Sequence, residues 1–221
     1  DALGANTTAG NNTAVGYQSL LSNTTGTRNV AVGIGSSDAI TTGLSNVSVG
    51  SYSLTGNVTG SYNVAIGDGS QQNNTSGSNT SVGHQSLYTN TSGAINTAIG
   101  YQNLYLNTTG NFNVSVGQQA LYSNTTASSN TAVGYRSLQA NTAASNTAVG
   151  KDSFYTNTTG SFGAALGFMA GYSNTSGGNN TAIGYQALLA NTTGSALTAV
   201  GTAALDANTT GIDNTAVGVS S

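Results

Sequence analysis

Few side chains of this sequence could carry out acid–base, nucleophilic or metal chemistry. It has no cysteine, one histidine, three basic residues and six acidic ones. His84 stands alone, and we expect it to be exposed. No carboxylate pair of the kind used in glycoside hydrolysis recurs, nor does an aspartate column of the kind that binds calcium. The internal aspartates are Asp38, Asp68, Asp152, Asp206 and Asp213. The sequence therefore predicts a protein that is not an enzyme and uses no cofactor or metal.

Two glycine-rich segments resemble the beginning of a phosphate-binding loop. Gly33-Ile34-Gly35 and Gly67-Asp68-Gly69 both lack the third glycine and the helix that would direct N–H groups at a phosphate. We interpret both as turns, and Lys151-Asp152 as a solvated surface pair. Arg28 and Arg136 are the other cations. So few positive charges predict no nucleic-acid partner.

A column of tyrosines is the strongest candidate for ligand binding. Its members, which share one place in a repeated pattern, are Tyr88, Tyr105, Tyr122, Tyr155 and Tyr172. Aromatic rings offer flat apolar faces to sugars, but stacked tyrosines can also simply brace neighbouring segments. Glycan binding is therefore one hypothesis. Ice binding through regular threonines, as in Asn107-Thr108-Thr109, is another.

A short phrase ending in glycine recurs thirteen times and must position all these residues. Asn12-Thr13-Ala14-Val15-Gly16 is the first copy and Asn214-Thr215-Ala216-Val217-Gly218 the last. Ten of the twelve intervals between the glycines are 17 residues, and two are 16. We number each repeat from its glycine, so that position 1 is Gly16 and position 17 is Val32 in the first complete repeat. A fixed period of this length indicates one structural unit stacked many times.

The columns of like residues predict one short strand in each repeat. Position 17 is always aliphatic, position 16 is Ala or Ser, and position 15 is Thr or Val except at Ala164. β-Branched residues two apart are typical of a strand. Position 5, usually leucine, forms a second apolar column. Representative members of the two columns are Val15, Val32, Val49, Ile66, Leu20, Leu54 and Leu87.

Asparagine columns predict two corners in each repeat. Position 8 is asparagine in every copy except that of Ile40, and position 14 forms a second column. Stacked asparagines can share side-chain hydrogen bonds, and Asn and Gly tolerate left-handed backbone. Representative members at position 8 are Asn23, Asn107 and Asn191. We expect the residue missing from the two 16-residue repeats to lie between positions 11 and 14. Triplets such as Asn23-Thr24-Thr25 and Asn57-Val58-Thr59 also fit the N-glycosylation acceptor.

These patterns predict an all-β protein, a parallel β-solenoid of about thirteen 17-residue coils that forms a single array over 1–221. The absence of proline leaves every backbone N–H free for pairing between coils. If position 16 faces the interior with the leucine of position 5, then positions 15 and 17 form an apolar stripe outside. Sister chains would cover that stripe in a homo-oligomer, which we expect to be a trimer. The alternative is a monomer with positions 15 and 17 inside.

The phrase Asn-Thr-Ala-Val-Gly resembles the head repeats of trimeric autotransporter adhesins. The longer unit from Asn180 to Gly194 is similar to repeats of bacterial surface fibres and phage tail fibres. The resemblance implies a left-handed parallel β-roll, a homotrimer and an extracellular place on a bacterial surface or virion. It also implies a stiff spacer that contacts a surface glycan or host receptor. The adhesin repeat is shorter, so a 17-residue coil requires a longer outer loop. No apolar run is long enough to cross a membrane, so we expect no membrane insertion in this segment. Neither end carries an atypical capping unit, so we expect a segment of a longer fibre or a subunit that stacks end to end.

Overall fold

The computed structural model describes all residues, 1–221, and contains thirteen three-residue strands and no helix. The chain divides into two units, Asp1–Phe112 and Asn113–Ser221. The first unit contains β1 (Thr13–Val15), β2 (Val30–Val32), β3 (Val47–Val49), β4 (Val64–Ile66), β5 (Thr80–Val82) and β6 (Thr97–Ile99). The second contains β7 (Val114–Val116), β8 (Thr131–Val133), β9 (Thr147–Val149), β10 (Ala164–Leu166), β11 (Thr181–Ile183), β12 (Thr198–Val200) and β13 (Thr215–Val217).

Successive strands in each unit pair in parallel and in register. Ala31 of β2 lies opposite Ser48 of β3, and Ala165 of β10 lies opposite Ala182 of β11. Within each unit, every strand therefore lies directly beside the equivalent strand of the next repeat. The predicted parallel β-solenoid is confirmed in both units. A single uninterrupted array over 1–221 stays a prediction.

The strand turns its small residue inward. Ala31 and Ala65 at position 16 are fully buried, whereas Val49 and Ile66 at position 17 keep 36 and 38 % of their surface exposed. The prediction that positions 15 and 17 face outward is confirmed, and the alternative with these positions inside is wrong. A strand with alanine inside leaves room for the leucine of position 5 across the narrow coil. Each buried leucine contributes about 1.5–3 kcal/mol. Leu20, Leu54 and Leu87 are all fully buried.

The asparagine of position 8 forms a buried amide ladder. Nδ2 of Asn174 donates to Oδ1 of Asn157 at 2.8 Å and to the carbonyl of Gly177 at 2.9 Å. Oδ1 of Asn174 accepts from Nδ2 of Asn191 at 2.8 Å. The same pattern joins Asn107 to Asn90 at 2.7 Å. Each side chain thus holds its own corner and the coil beside it.

The asparagine of position 14 bonds the backbone of its neighbours. The N–H of Asn46 donates to Oδ1 of Asn29 at 2.9 Å, and Nδ2 of Asn46 donates to the carbonyl of Gly60 in the following coil at 3.0 Å. These side chains are buried. Buried amides are stable only when bonded. The ladder satisfies most of them, and it makes the second corner part of the core.

Left-handed backbone does not lie at the asparagines of positions 8 and 14, although asparagine tolerates it, but at positions 3, 5 and 13. In the first complete repeat these are Gln18, Leu20 and Arg28, with φ of 59°, 48° and 60°. With left-handed backbone at positions 3 and 5, the N–H groups of these two residues point to opposite neighbouring coils. The N–H at position 3 bonds the preceding coil, and the N–H at position 5 bonds the following one, as Leu54 does with the Ser70 carbonyl at 3.0 Å. Each such residue costs about 1–2 kcal/mol, which the hydrogen bonds between coils offset.

The recurrent glycine at position 1 meets two requirements at once. Gly33 has φ of +134°, and a Cβ on it would collide with the carbonyl oxygen of Gly50 in the next coil. Any larger residue would therefore be strained and would also push the coils apart. This explains why the glycine ends the strand phrase in every copy.

The two 16-residue repeats lack a residue at a different place from the one expected. In a 17-residue repeat the position-8 amide bonds the carbonyl three residues later, as Asn23 does with Gly26. In the short repeats it bonds the carbonyl two residues later, as Asn74 does with Ser76 and Asn141 with Ala143. The missing residue therefore lies between positions 8 and 11, and the expectation of positions 11–14 was wrong. The loop after position 8 can lose one residue because the position-8 amide still bonds the carbonyl that ends this loop.

Candidate functional site

Two outward surfaces of the solenoid units could bind a partner. The first, which we call the sheet face, consists of the outward side chains at positions 13, 15 and 17. Ile99 and Ile183 at position 17 are each 38 % exposed, and Phe162 at position 13 is 67 % exposed. No charged residue occurs at positions 15 and 17 of any strand. Position 17 is thus an aliphatic column that is partly open to water in every coil, flanked mostly by Thr or Val at position 15 and by mixed residues, including Arg28 and Asp213, at position 13.

The second surface, which we call the aromatic corner, consists of the side chains at positions 2, 3 and 6, just after the strand. Tyr88 stacks on Tyr105 with ring centroids 5.2 Å apart and planes 7° apart. Tyr155 stacks on Tyr172 at 5.2 Å and 12°. Tyr122 holds the equivalent place in its repeat and is half-buried. The tyrosine column brings flat rings together at the spacing of the coils, and glycan contact through it stays a hypothesis.

A second aromatic column lies at position 2, and the sequence analysis did not single it out. His84 stacks on Tyr101 at 5.5 Å, and Phe168 stacks on Tyr185 at 5.4 Å. Nε2 of His84 is 3.7 Å from Oδ1 of Asp68, with both side chains about half exposed. His84 is exposed, as predicted. Recurrent aromatic residues directly after the glycine were the signal that could have revealed this column.

Polar side chains at position 3 lie between the two aromatic columns. In the first unit, Nε2 of Gln102 donates to Oε1 of Gln85 at 3.1 Å. In the second unit the same position carries Arg136 and Asp152, and Nε of Arg136 donates to Asp152 Oδ1 at 2.8 Å. The aromatic corner therefore combines ring faces with hydrogen-bonding groups, which is the combination found in carbohydrate-binding surfaces.

The charged cluster around Asp152 corrects one expectation. The Asp152 side chain is only 6 % exposed and pairs chiefly with Arg136, while Nζ of Lys151 lies 3.8 Å away and is 54 % exposed. The prediction of a solvated Lys151-Asp152 pair is therefore wrong for the Asp152 carboxylate, which is buried. It is confirmed for the Lys151 ammonium group, which is exposed. The hydrogen bond to Asp152 raises the pKa of Arg136 above its ordinary value, against an opposing effect of desolvation. The guanidinium stays charged at every pH at which the protein is folded.

The threonines of position 9 use their hydroxyl protons within the solenoid. Oγ1 of Thr24 donates to the carbonyl of Thr41 at 3.2 Å, and Oγ1 of Thr192 donates to that of Thr209 at 3.0 Å. Only the oxygen lone pairs remain for water. A regular array of hydroxyls able both to donate and to accept is therefore not presented at this position, which weakens the ice-binding alternative.

The acceptor triplets at position 8 place their asparagines inside the coil. Asn23 and Asn57 are fully buried, and their amides bond the carbonyls of Gly26 and Gly60. A glycan on either nitrogen would break the amide ladder. The structural role of these asparagines accounts for the recurrent triplet.

No pocket opens in either unit, and no group of three or more His, Asp or Glu side chains is close enough to hold a metal ion. A helix with the length and apolar character needed to cross a bilayer is absent.

The fold defines the chain as a parallel β-solenoid repeat protein. Comparison with models of protein families, with characterised proteins and with solved structures found no match to the chain.

Proposed function

We propose that this chain is a structural segment of an extracellular fibre, either a bacterial surface adhesin or a phage tail fibre. Three copies associate through their sheet faces into a homotrimer that acts as a stiff spacer and attachment module. The observation that carries the proposal is the aliphatic position-17 column of the sheet face, which is partly exposed in every coil and lies beside uncharged residues at position 15. Strands that are apolar on both faces are usually covered on both.

The energetics favour association of like faces. Eight side chains at position 17 are each at least 36 % exposed. Covering the open part of such a side chain contributes about 0.5–1 kcal/mol, so position 17 alone supplies on the order of 6 kcal/mol per chain. Each chain of a trimer can add its positions 13 and 15 to this sum. The total is comparable with the roughly 4–15 kcal/mol that association costs.

Stiffness follows from the bonds between coils. Positions 1, 3, 5, 7 and 15 bond neighbouring coils through backbone N–H groups, as at Gly33, Gly35, Leu20, Ser22 and Val30. The asparagine columns add side-chain bonds at both corners. Separating two coils would require many of these bonds to break together, so each unit resists bending and stretching. This suits a protein that holds a tip or its own loops away from an anchoring body.

The extracellular location and the left-handed winding rest on the resemblance to adhesin heads and tail-fibre repeats. The low charge and the absence of cysteine are compatible with a surface polymer stabilised by repetition. Self-association is the main partner interaction of the proposal. A surface glycan or host receptor is the second.

Sedimentation equilibrium tests the trimer. The wild-type chain should sediment at three times its 21.8 kDa mass. The double variant Ile66→Lys/Ile99→Lys places two charges on the sheet face and should sediment as a monomer, because buried unpaired ammonium groups cost several kcal/mol each. The matched control Thr25→Lys/Thr59→Lys adds the same charge at exposed loop positions and should remain trimeric. A monomeric wild type, or a sheet-face variant that stays trimeric, would refute the proposal.

A further inference from the structure

We propose that the charged part of the aromatic corner in the second unit binds a carboxylate-bearing sugar residue of a polysaccharide. This anion site consists of Tyr135, Arg136, Lys151, Tyr155 and Phe168, together with the buried Asp152. It deepens the attachment part of the proposed function, and its chemistry does not depend on the trimer.

The site departs from the repeat in one respect. Position 2 of the second unit carries aromatic rings at Tyr135 and Phe168, and Lys151 stands between them in the intervening coil. Nζ of Lys151 lies 5.9 Å from the centroid of the Tyr135 ring and 5.3 Å from that of Phe168. The cation is thus held between two ring faces. Arg136 and Lys151 are also two of the three basic residues in the chain, and they lie in adjacent coils.

Arg136 is fixed in place with donors to spare. Its guanidinium carbon lies 4.8 Å from the Tyr135 centroid and 4.6 Å from the Tyr155 centroid. Its Nε bonds Asp152, which leaves the two terminal nitrogens without an acceptor in the chain. The buried carboxylate and the two rings therefore orient the guanidinium, so little side-chain entropy is lost when an anion binds.

The charge balance favours an anion. Arg136 and Lys151 carry two positive charges against the single negative charge of Asp152. The Lys151 ammonium makes no hydrogen bond within the chain, and its distance of 3.8 Å from Asp152 Oδ2 leaves its donors available. One net positive charge therefore remains at a surface that is otherwise aromatic.

A sugar carboxylate matches this arrangement better than a simple ion. The carboxylate can accept from Lys151 and from the terminal nitrogens of Arg136. The apolar C–H groups of the sugar ring can pack against the exposed edge of the Phe168 ring, whose two faces contact Lys151 and Tyr185. A simple ion would use the cations alone. The open surface, which has no pocket, predicts weak binding at one site and avidity when several copies are present in a fibre.

Isothermal titration calorimetry of the full chain provides the test, with trigalacturonate and 3′-sialyllactose as probes. These represent two sources of a sugar carboxylate. Carboxyl-reduced trigalacturonate and lactose are their neutral counterparts, and sodium sulfate is the simple-ion probe. At least one acidic sugar should bind, its neutral counterpart should bind at least about fivefold more weakly, and binding should weaken as salt rises. Whichever acidic sugar binds identifies the source.

Two variants with matched controls locate the site. Lys151→Gln should weaken binding about fivefold or more, whereas Arg28→Gln, which removes a cation from the other unit, should change it less than twofold. Phe168→Ala should likewise weaken binding, whereas Tyr17→Ala at the same repeat position should not. Lys151 and Phe168 are exposed, and unchanged unfolding midpoints would show that the variants fold.

The outcomes separate this site from the fibre proposal. Equal binding of neutral and acidic sugars, binding of sulfate as strong as that of the sugars, or no binding at all would overturn the site. So would equal effects of the site variants and their controls. A trimer that binds no acidic sugar leaves the fibre proposal standing and removes the site. A monomer that binds the acidic sugar does the reverse.

Discussion

In the coil from Gly33 to Val49, the apolar residue of position 5 and the polar residue of position 8 have changed places. This exchange leads to a quantitative prediction about stability. Ser37 stands at position 5, where leucine is usual, and Ile40 stands at position 8, where every other copy has asparagine. Ile40 is fully buried in one cluster with Leu20 and Leu54. It therefore supplies the apolar volume that Ser37 lacks. We expect the reversion of both residues to be better tolerated than the reversion of either one.

The magnitudes follow from the contacts. Ser37→Leu alone crowds Ile40 and breaks the 2.6 Å bond between the Ser37 and Ser48 hydroxyls, at a cost of about 1–3 kcal/mol. Ile40→Asn alone empties the core at a cost of about 2–4 kcal/mol. The new amide offsets about 1 kcal/mol of this, because Oδ1 of Asn23 has no partner beside Ile40. The double variant restores both the leucine and the ladder and should lie within about 1 kcal/mol of wild type, a coupling of about 3 kcal/mol.

Guanidinium denaturation followed by circular dichroism measures this cycle. All four proteins should be compared at one concentration, because self-association shifts apparent stability. Free energies of unfolding should be compared between proteins whose unfolding free energy depends equally steeply on denaturant concentration. The mirrored pair Leu54→Ser and Asn57→Ile, which imposes the exchange on a regular coil, should show coupling of the same sign. Single-variant losses that add to the double-variant loss within about 0.5 kcal/mol would refute the proposed exchange.

Three further predictions concern the core and one carboxyl group. Gly171→Leu should destabilise the protein by about 3 kcal/mol or more because its Cβ collides with the Phe154 ring, and Phe154→Leu in the same chain should recover most of the loss; equal thermal midpoints of the single and double variants would contradict this. Asn174→Ala removes four hydrogen bonds, three of 2.8–2.9 Å and one of 3.4 Å from Asn180, and should cost about 3 kcal/mol in chemical denaturation. A loss below about 1 kcal/mol would show that the amide ladder contributes little. Burial raises the pKa of the Asp38 carboxyl above its ordinary value, so its contribution to stability is greatest in acid and declines as pH rises through about 4 and above. Asp38→Asn should thus raise the neutral-pH unfolding midpoint, and the exposed Asp206→Asn at the same repeat position should not; equal shifts would show that burial is not the cause.

The repeat was sufficient to predict the strand, its register and the inward alanine. The reason is that a 17-residue period gives every residue of one column the same environment, and the small residue of position 16, such as Ala31, recurs in that environment thirteen times. Left-handed backbone escaped prediction because Leu20 and Ile95 are residue types that normally avoid it, with φ of 48° and 58°. Only hydrogen bonds between coils, which a single repeat does not reveal, stabilise that conformation.

The candidate binding surface was predicted in part. The spacing of Tyr88 and Tyr105 indicated a column, since equal positions of adjacent coils must be neighbours. The anion site was missed because Lys151 and Asp152 are adjacent in sequence, which suggested a pair, whereas the shorter contact joins Asp152 to Arg136 in the preceding coil. Because Arg136 lies in a 16-residue repeat, it precedes Asp152 by 16 residues instead of 17. The common period therefore did not align Arg136 with Asp152.

The distance between stacked tyrosine rings reports the spacing of the coils that carry them. Tyr88 and Tyr105, like Tyr155 and Tyr172, stay 5.2 Å apart only while their coils keep their spacing. The chain has no tryptophan, so tyrosine dominates its near-ultraviolet spectrum. Pulling the coils apart along their stacking direction would uncouple the phenol transitions of each pair as the hydrogen bonds between the two coils break. Mechanical load on the proposed fibre would then be measurable optically, without an added dye.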